Sequence, residues 1–239
     1  MIEYISKTVG ELVAERPGRS RVFEAHKIDF CCGGKRMLEE ACAKSGTPLE
    51  EILAGLAAQD AKAAEDADDV GGLPLPKLID HIVATHHAYL REELPRLEGM
   101  AGKVAKVHGD MEPRLHEVRD VFNGLAAELA AHLGKEEAIL FPMVKRLAAG
   151  ELPAGQAAFL DGPVGVMEAE HNSAGMALER LRILTDGHTP PEWACNTYRA
   201  FFSGLNDLER DLHRHIHKEN NILFPRALAL AAHPVPVMS

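Results

Sequence analysis

The strongest constraint on how this chain can fold is an eleven-residue motif that it carries twice: His132-Leu-Gly-Lys-Glu136-Glu-Ala-Ile-Leu-Phe-Pro142 and His215-Ile-His-Lys-Glu219-Asn-Asn-Ile-Leu-Phe-Pro225, with seven positions identical. In each copy a His and a Glu stand four residues apart, which on a helix puts them one turn apart on one face. A single copy would read as an amphipathic helix with two stray polar residues. Two copies meeting face to face would bring two imidazoles and two carboxylates to one point.

The surroundings of the motif repeat as well. From Pro74 onward four long segments carry apolar residues at three- and four-residue steps, the period of a helix with one buried face. Each stripe is interrupted by a polar residue. The first runs Leu75, Ile79, Val83, His87, Leu90, Leu94; the second passes through Leu129, His132, Glu136 and Leu140. The third runs Val164, Met167, His171, Ala174, Leu178, and the fourth passes through Leu212, His215, Glu219 and Ile222. His87 and His132 are 45 residues apart, His171 and His215 are 44 apart, and Leu94 and Leu97 recur at the same offsets as Leu178 and Leu181. The pattern predicts an all-α chain, an up-down four-helix bundle built from two related helix pairs about an internal two-fold. Pro142 and Pro225 are expected to kink or end the second and fourth helices.

Ahead of the bundle, short helices are expected at Val9–Glu15, Arg19–His26, Gly34–Ala43 and Pro48–Ala57. The last is signalled by an N-cap Thr47, a Pro at the first helical position and Glu50. An Ala/Asp/Glu-rich stretch then ends in Gly71-Gly72. The chain therefore divides into a small helical domain (residues 1–58), a linker (59–73), the bundle (74–232) and a tail (233–239).

Two carboxylates facing one apolar core repel each other and are costly to bury without a counter-charge. No Lys or Arg interrupts the stripes beside them, and divalent cations are the natural neutralisers. Four imidazoles, His87, His132, His171 and His215, with two carboxylates, Glu136 and Glu219, suit two metal ions bridged by the carboxylates. Nitrogen and oxygen donors fit iron, manganese and zinc; the number of donors makes iron the first choice. His86 is the nearest competitor for the first ligand, but it breaks both stripe and repeat. His81, His213 and His217 lie off the ligand faces. Asp80 and Glu168 are candidates for orienting the ligand imidazoles.

Composition narrows the field. The chain has 26 basic and 36 acidic residues, a net charge of −10, and no dense Lys/Arg cluster, so a nucleic-acid partner is not expected. The N-terminus lacks a basic region followed by an apolar run, and no run of about eighteen apolar residues occurs. The expectation is a cytoplasmic protein with no membrane segment. Four cysteines do not make a disulfide framework. Cys42 and Cys195 read as isolated small residues. Cys31 and Cys32 stand apart, in Asp29-Phe-Cys-Cys-Gly-Gly-Lys35, where a following helix and nearby Lys35 and Arg36 would lower a thiol pKa. Two soft ligands cannot alone close a four-ligand site, so the pair is a candidate thiol transfer site.

Together, the Cys-Cys-Gly-Gly segment, Ile79-Asp-His-Ile82, Met167-Glu-Ala-Glu-His171 and the two ILFP-ending motifs resemble the repair-of-iron-centres family of di-iron, hemerythrin-like stress proteins, over residues 8–230. The resemblance implies a cytoplasmic protein with two iron ions per chain that helps restore iron-sulfur clusters after oxidative or nitrosative damage. Its clients would be iron-sulfur proteins and its small ligands nitric oxide or oxygen. Carried over residue by residue, His87, His132, His171 and His215 match the family's terminal ligands, and Glu136 and Glu219 its bridging carboxylates. Family members also tend to form homodimers. Two other uses of such a centre are a nitric oxide reductase or peroxidase and an oxygen-binding sensor; the latter leaves the cysteines unexplained.

Overall fold

The computed structural model describes residues 2–61, 70–152 and 159–232. Among these the chain is all-α, and the sole extended pairing is an isolated bridge between Thr8 and Met37.

In the small domain, helices cover Ile2–Ile5, Val9–Glu15, Ser20–Ala25, Leu38–Ser45 and Leu49–Ala61, with a 3-10 turn at Pro17–Arg19. Thr8 starts the second of these with a capping box: its hydroxyl accepts the Glu11 N–H at 3.2 Å while Glu11 accepts the Thr8 N–H at 2.8 Å. The helix expected from Gly34 starts only at Leu38, because residues 30–36 form a turn wrapped around Asp29 and the carbonyl of Gly34 accepts the Gly10 N–H. The helix expected to stop at Ala57 runs on to Ala61, three residues into the stretch read as linker. Residues 62–69 and the tail 233–239 lie outside the described residues, while Val70 already belongs to the bundle's apolar core.

Four long helical rods form the bundle. The first runs Leu75–Ile82, a π turn Val83–His87, then Ala88–His108. The second is Arg114–Lys135, a π turn Glu136–Leu140, then Phe141–Ala148; the third is Asp161–Leu184; the fourth is Asn196–Lys218, a π turn Glu219–Leu223, then Phe224–Ala232. Neighbours are antiparallel. His87, early in the first rod, meets Glu137 late in the second, and Arg180, late in the third, pairs with Glu117 early in the second. Arg182 of the third rod pairs with Glu209 of the fourth.

Neither proline ends its helix. Proline lacks an N–H, and its ring collides with the carbonyl four residues back in an α-helix. In both rods the preceding turn is widened to the π form, and the α-helix resumes with the proline at its second position.

The apolar stripes make two cores rather than one. One gathers Leu90, Leu97, Phe122, Leu125, Phe201 and Leu208; the other gathers Leu78, Ile82, Phe141, Val144, Val164 and Phe224. The polar interruptions of the stripes fall between them, at the waist of the bundle. Each buried Leu, Ile or Phe contributes about 1.5–3 kcal/mol, so these cores hold the rods in place irrespective of the polar band. The small domain rests against the fourth rod, whose Ile216 completes the small domain's own core. Phe30 meets the rings of His213 and His217 edge-on, with centroids 6.1 and 5.7 Å away.

Candidate metal centre

His87 ends the π turn of the first rod, and Glu136 and Glu219 begin those of the second and fourth. A π turn holds one residue more than an α turn and so re-aims the side chains that flank it. All six side chains expected as ligands converge at the waist, each at most 3% exposed. They form two donor sets, His87, Glu136, His215 and Glu219, and His132, Glu136, His171 and Glu219, with the donor atoms of each set within 4.8 Å of one another. Both carboxylates belong to both sets. Glu136 places Oε2 3.4 Å from His87 Nε2 and Oε1 3.5 Å from His132 Nε2; Glu219 places Oε1 3.1 Å from His215 Nε2 and Oε2 3.1 Å from His171 Nε2.

The far nitrogens decide which lone pairs face inward. His87 Nδ1 lies 2.6 Å from Glu137 Oε1, His132 Nδ1 2.8 Å from Glu170 Oε2, and His171 Nδ1 2.8 Å from Asn220 Oδ1. An acceptor at Nδ1 puts the proton there and leaves the Nε2 lone pair directed at the centre. His171 and His132 then aim two lone pairs at each other with Nε2 atoms 3.0 Å apart, and the Nε2 atoms of His87 and His215 lie 3.2 Å apart. Both oxygens of Glu136 are buried without a hydrogen-bond partner. Converging lone pairs and unpartnered buried carboxylate oxygens are what a pair of cations satisfies, so the residues fit a dinuclear metal site on chemistry as well as on spacing.

Without metal, the same geometry favours protons. Burial opposes charge on His132, but Glu136, Glu219 and Glu170 outweigh it and its pKa rises to about 9. His87 is also raised, by Glu136, Glu219 and Glu137 against its burial. Glu219 is held well below the carboxylate range by His215 and His171 despite complete burial.

The supporting residues differ from those expected. Asp80 pairs with Lys145 and Glu168 with Lys35, each at 2.7 Å, so neither touches a ligand imidazole. The partners are Glu137, Glu170 and Asn220, each next in sequence to a ligand, a position that a stripe-based reading discards as facing away. Glu170 is in turn held by Lys135. His86 is no ligand. It stacks on His215 with ring centroids 5.2 Å apart, accepts from Lys218 Nζ at 2.9 Å and gives Nδ1–H to Asp211 at 2.8 Å. Burial, aided by His215 and Lys218, lowers its pKa to about 4.

A cavity of about 530 Å³ reaches His132 and His171 from outside and is lined mainly by apolar groups, among them Leu129, Val166, Ala169 and Ala174.

Cys31 and Cys32 lie outside this centre but beside it: Cys32 Sγ is 3.4 Å from the His171 carbonyl oxygen. Asn221 of the second motif pins their loop, donating from Nδ2 to the carbonyls of Phe30 at 3.2 Å and Cys31 at 3.3 Å. The expected lowering of the thiol pKa does not hold for Cys31. Its hydrogen bond with Cys32, its burial and the neighbouring Asp29 all push it up, while Lys35 points away to Glu168. No helix starts at the pair to supply a dipole.

Residues 78–227 match the hemerythrin HHE cation-binding domain, and residues 5–60 match a domain of unknown function, DUF542. An iron-sulfur cluster repair protein, YtfE, of Yersinia pseudotuberculosis serotype O:1b is 40% identical over 227 residues, covering 95% of this chain and 99% of the relative. The YtfE protein of Yersinia pestis strain Pestoides F is 39% identical over the same coverage. Among the described residues, no helix is long and apolar enough to cross a membrane.

Proposed function

The chain belongs to the hemerythrin HHE cation-binding family and, over almost its whole length, to the iron-sulfur cluster repair proteins, and from that premise we propose that it holds two iron ions and uses them to restore iron-sulfur clusters damaged by oxidative or nitrosative stress. The observation that carries this reading is the sharing of Glu136 and Glu219 by both donor sets. Bound there, iron would supply a change of oxidation state and affinity for nitric oxide or oxygen.

The chain's own residues do the rest. Glu137, Glu170 and Asn220 keep three ligand imidazoles in the metal-binding tautomer. The cavity at His132 and His171, largely apolar in surface and edged by Glu128, Lys135 and Glu170, gives a small ligand a route to the centre. Cys32, the more exposed thiol of the pair and 3.4 Å from the His171 carbonyl, would be the member of the thiol transfer site that meets client iron-sulfur proteins, with Cys31 buried behind it.

Two measurements test the reading. Metal analysis of the purified protein should give two irons per chain, and Glu136→Ala should lower that sharply with helix content retained, because the two apolar cores do not include Glu136. Full occupancy in the variant would end the dinuclear assignment. Incubated anaerobically with an apo-cluster enzyme, the loaded protein should lose iron in step with reactivation of the client. The cavity favours one alternative, a nitric oxide reductase: catalytic loss of nitric oxide with iron retained would establish it in place of donation.

A further inference from the structure

We propose that Asp29, Cys31 and Cys32 form a third metal site, for a borderline-soft divalent cation such as zinc, separate from the centre inside the bundle. The inference rests on the geometry of the cysteine loop and not on the repair reading.

The two Sγ atoms stand 3.8 Å apart. Metal–sulfur bonds of about 2.3 Å in a tetrahedron place two sulfurs roughly 3.8 Å apart, so the thiols already span one edge of such a site. Asp29 Oδ1 lies 3.3 Å from Cys31 Sγ, against roughly 3.5 Å for a sulfur–oxygen edge with a metal–oxygen bond of about 2.1 Å. One donor atom from each of the three residues lies within 4.8 Å of the others. A cation of ordinary radius therefore fits among them with little movement of the backbone.

The donors are also held. The Asp29 carboxylate accepts backbone N–H groups from Cys31 at 3.1 Å, Cys32 at 3.0 Å and Gly33 at 2.8 Å, which fixes its orientation. Asn221 clamps the carbonyls on either side of the first thiol. Burial beside Cys32 and Asp29 makes the Cys31 thiolate costly without a counter-charge, and a divalent cation supplies one.

Three protein donors leave a tetrahedral ion one exchangeable position. The three residues line a cavity of about 590 Å³ that presents charges of both signs, Lys27, Arg36 and Lys44 beside Glu179 and the Arg182–Glu209 pair, so the fourth position is open to a ligand from solvent, such as water or a further thiolate. Uptake of one ion deprotonates both thiols, so two protons leave for each cation bound.

The test uses full-length protein with the bundle loaded, reduced and free of oxygen, titrated with cobalt(II). One further equivalent should bind, with a thiolate-to-cobalt charge-transfer band and release of two protons. Cys31→Ser/Cys32→Ser, which keeps Cys42 and Cys195, should lose that equivalent and its band while retaining the bundle's metal. Asp29→Asn, which preserves an oxygen for the Cys31 and Cys32 N–H groups and gives up only the acceptor of the Gly33 N–H, should weaken cobalt binding at least tenfold. Absence of the band in the wild type, or its survival in the double variant, overturns the site. Unchanged affinity in Asp29→Asn removes the carboxylate and with it the three-donor assignment.

Discussion

Three consecutive side chains of the second motif point to three destinations. Glu219 faces the centre, Asn220 holds the His171 ring, and Asn221 holds the cysteine loop. At the corresponding positions of the first motif, Glu136 and Glu137 have the same first two tasks, but the third residue is Ala138, exposed on a face that no small domain covers. The clamp at Asn221 is tight: a Cβ added at Gly34 would sit 2.3 Å from Asn221 Oδ1 and 2.7 Å from the Phe30 carbonyl oxygen. Gly34→Ala should therefore destabilise the docked domain by about 2 kcal/mol, the usual cost of overpacking, leaving the bundle's metal content unchanged. A denaturant midpoint equal to that of the wild type would show the loop to be free of Asn221. The six inward-facing residues were legible in the sequence because duplication exposes them, each one standing where a stripe should have been apolar. Glu137, Glu170 and Asn220 were not, since the direction of a residue beside a ligand depends on local helix winding.

At the scale of elements, the period of the apolar stripes located all four rods but could not register the π turns, in which one inserted residue leaves the stripe nearly intact. The sequence accordingly predicts a kink or an end at each proline, and the structure shows that neither proline ends its helix. The end of the small domain was obscured for another reason: an Ala/Asp/Glu-rich composition resembles a linker, and only long-range pairing shows that Asp60 closes a helix. Arg19, almost fully buried, donates from Nε and Nη2 to the two Asp60 oxygens at 2.9 and 2.6 Å and ties that helix to the Pro17–Arg19 turn. The Arg19 hydrogen bond, against the pull of burial, lowers the Asp60 pKa from 3.8. A lowered folded-state pKa stabilises fully above the unfolded value and loses that stability as pH falls through the folded one. Asp60→Asn should then cost about 2 kcal/mol at neutral pH, with Glu15 still reaching Arg19 at 3.1 Å. The gap between wild type and variant should close below about pH 3.8; a gap independent of pH would assign the stabilisation to packing.

For the whole molecule, an all-α chain with a helical bundle followed from the repeat. How the small domain meets the bundle did not, because Ile216, His217 and Asn221 lie on flanks of the fourth rod that only the finished fold covers. That arrangement breaks the equivalence that duplication would otherwise confer. The position between His132 and His171 adjoins the apolar cavity and, through the His171 carbonyl, the cysteine loop. Phe141, stacked 5.5 Å from His87, has its counterpart in Phe224, stacked 6.0 Å from His171, but the position between His87 and His215 is covered further by His86, stacked over His215. Two seats made from one ancestral half thus differ in access, one beside a door and one against the back wall. A chelator added to loaded protein should draw out the first equivalent quickly and the second slowly, with Val166→Trp, placed in the cavity wall, slowing the first phase alone. A single release phase for both ions would mean that the seats exchange as equals. On the proposed two-ion reading, ordered departure would leave a half-filled cage, and that form, rather than the full one, would be the one to be refilled.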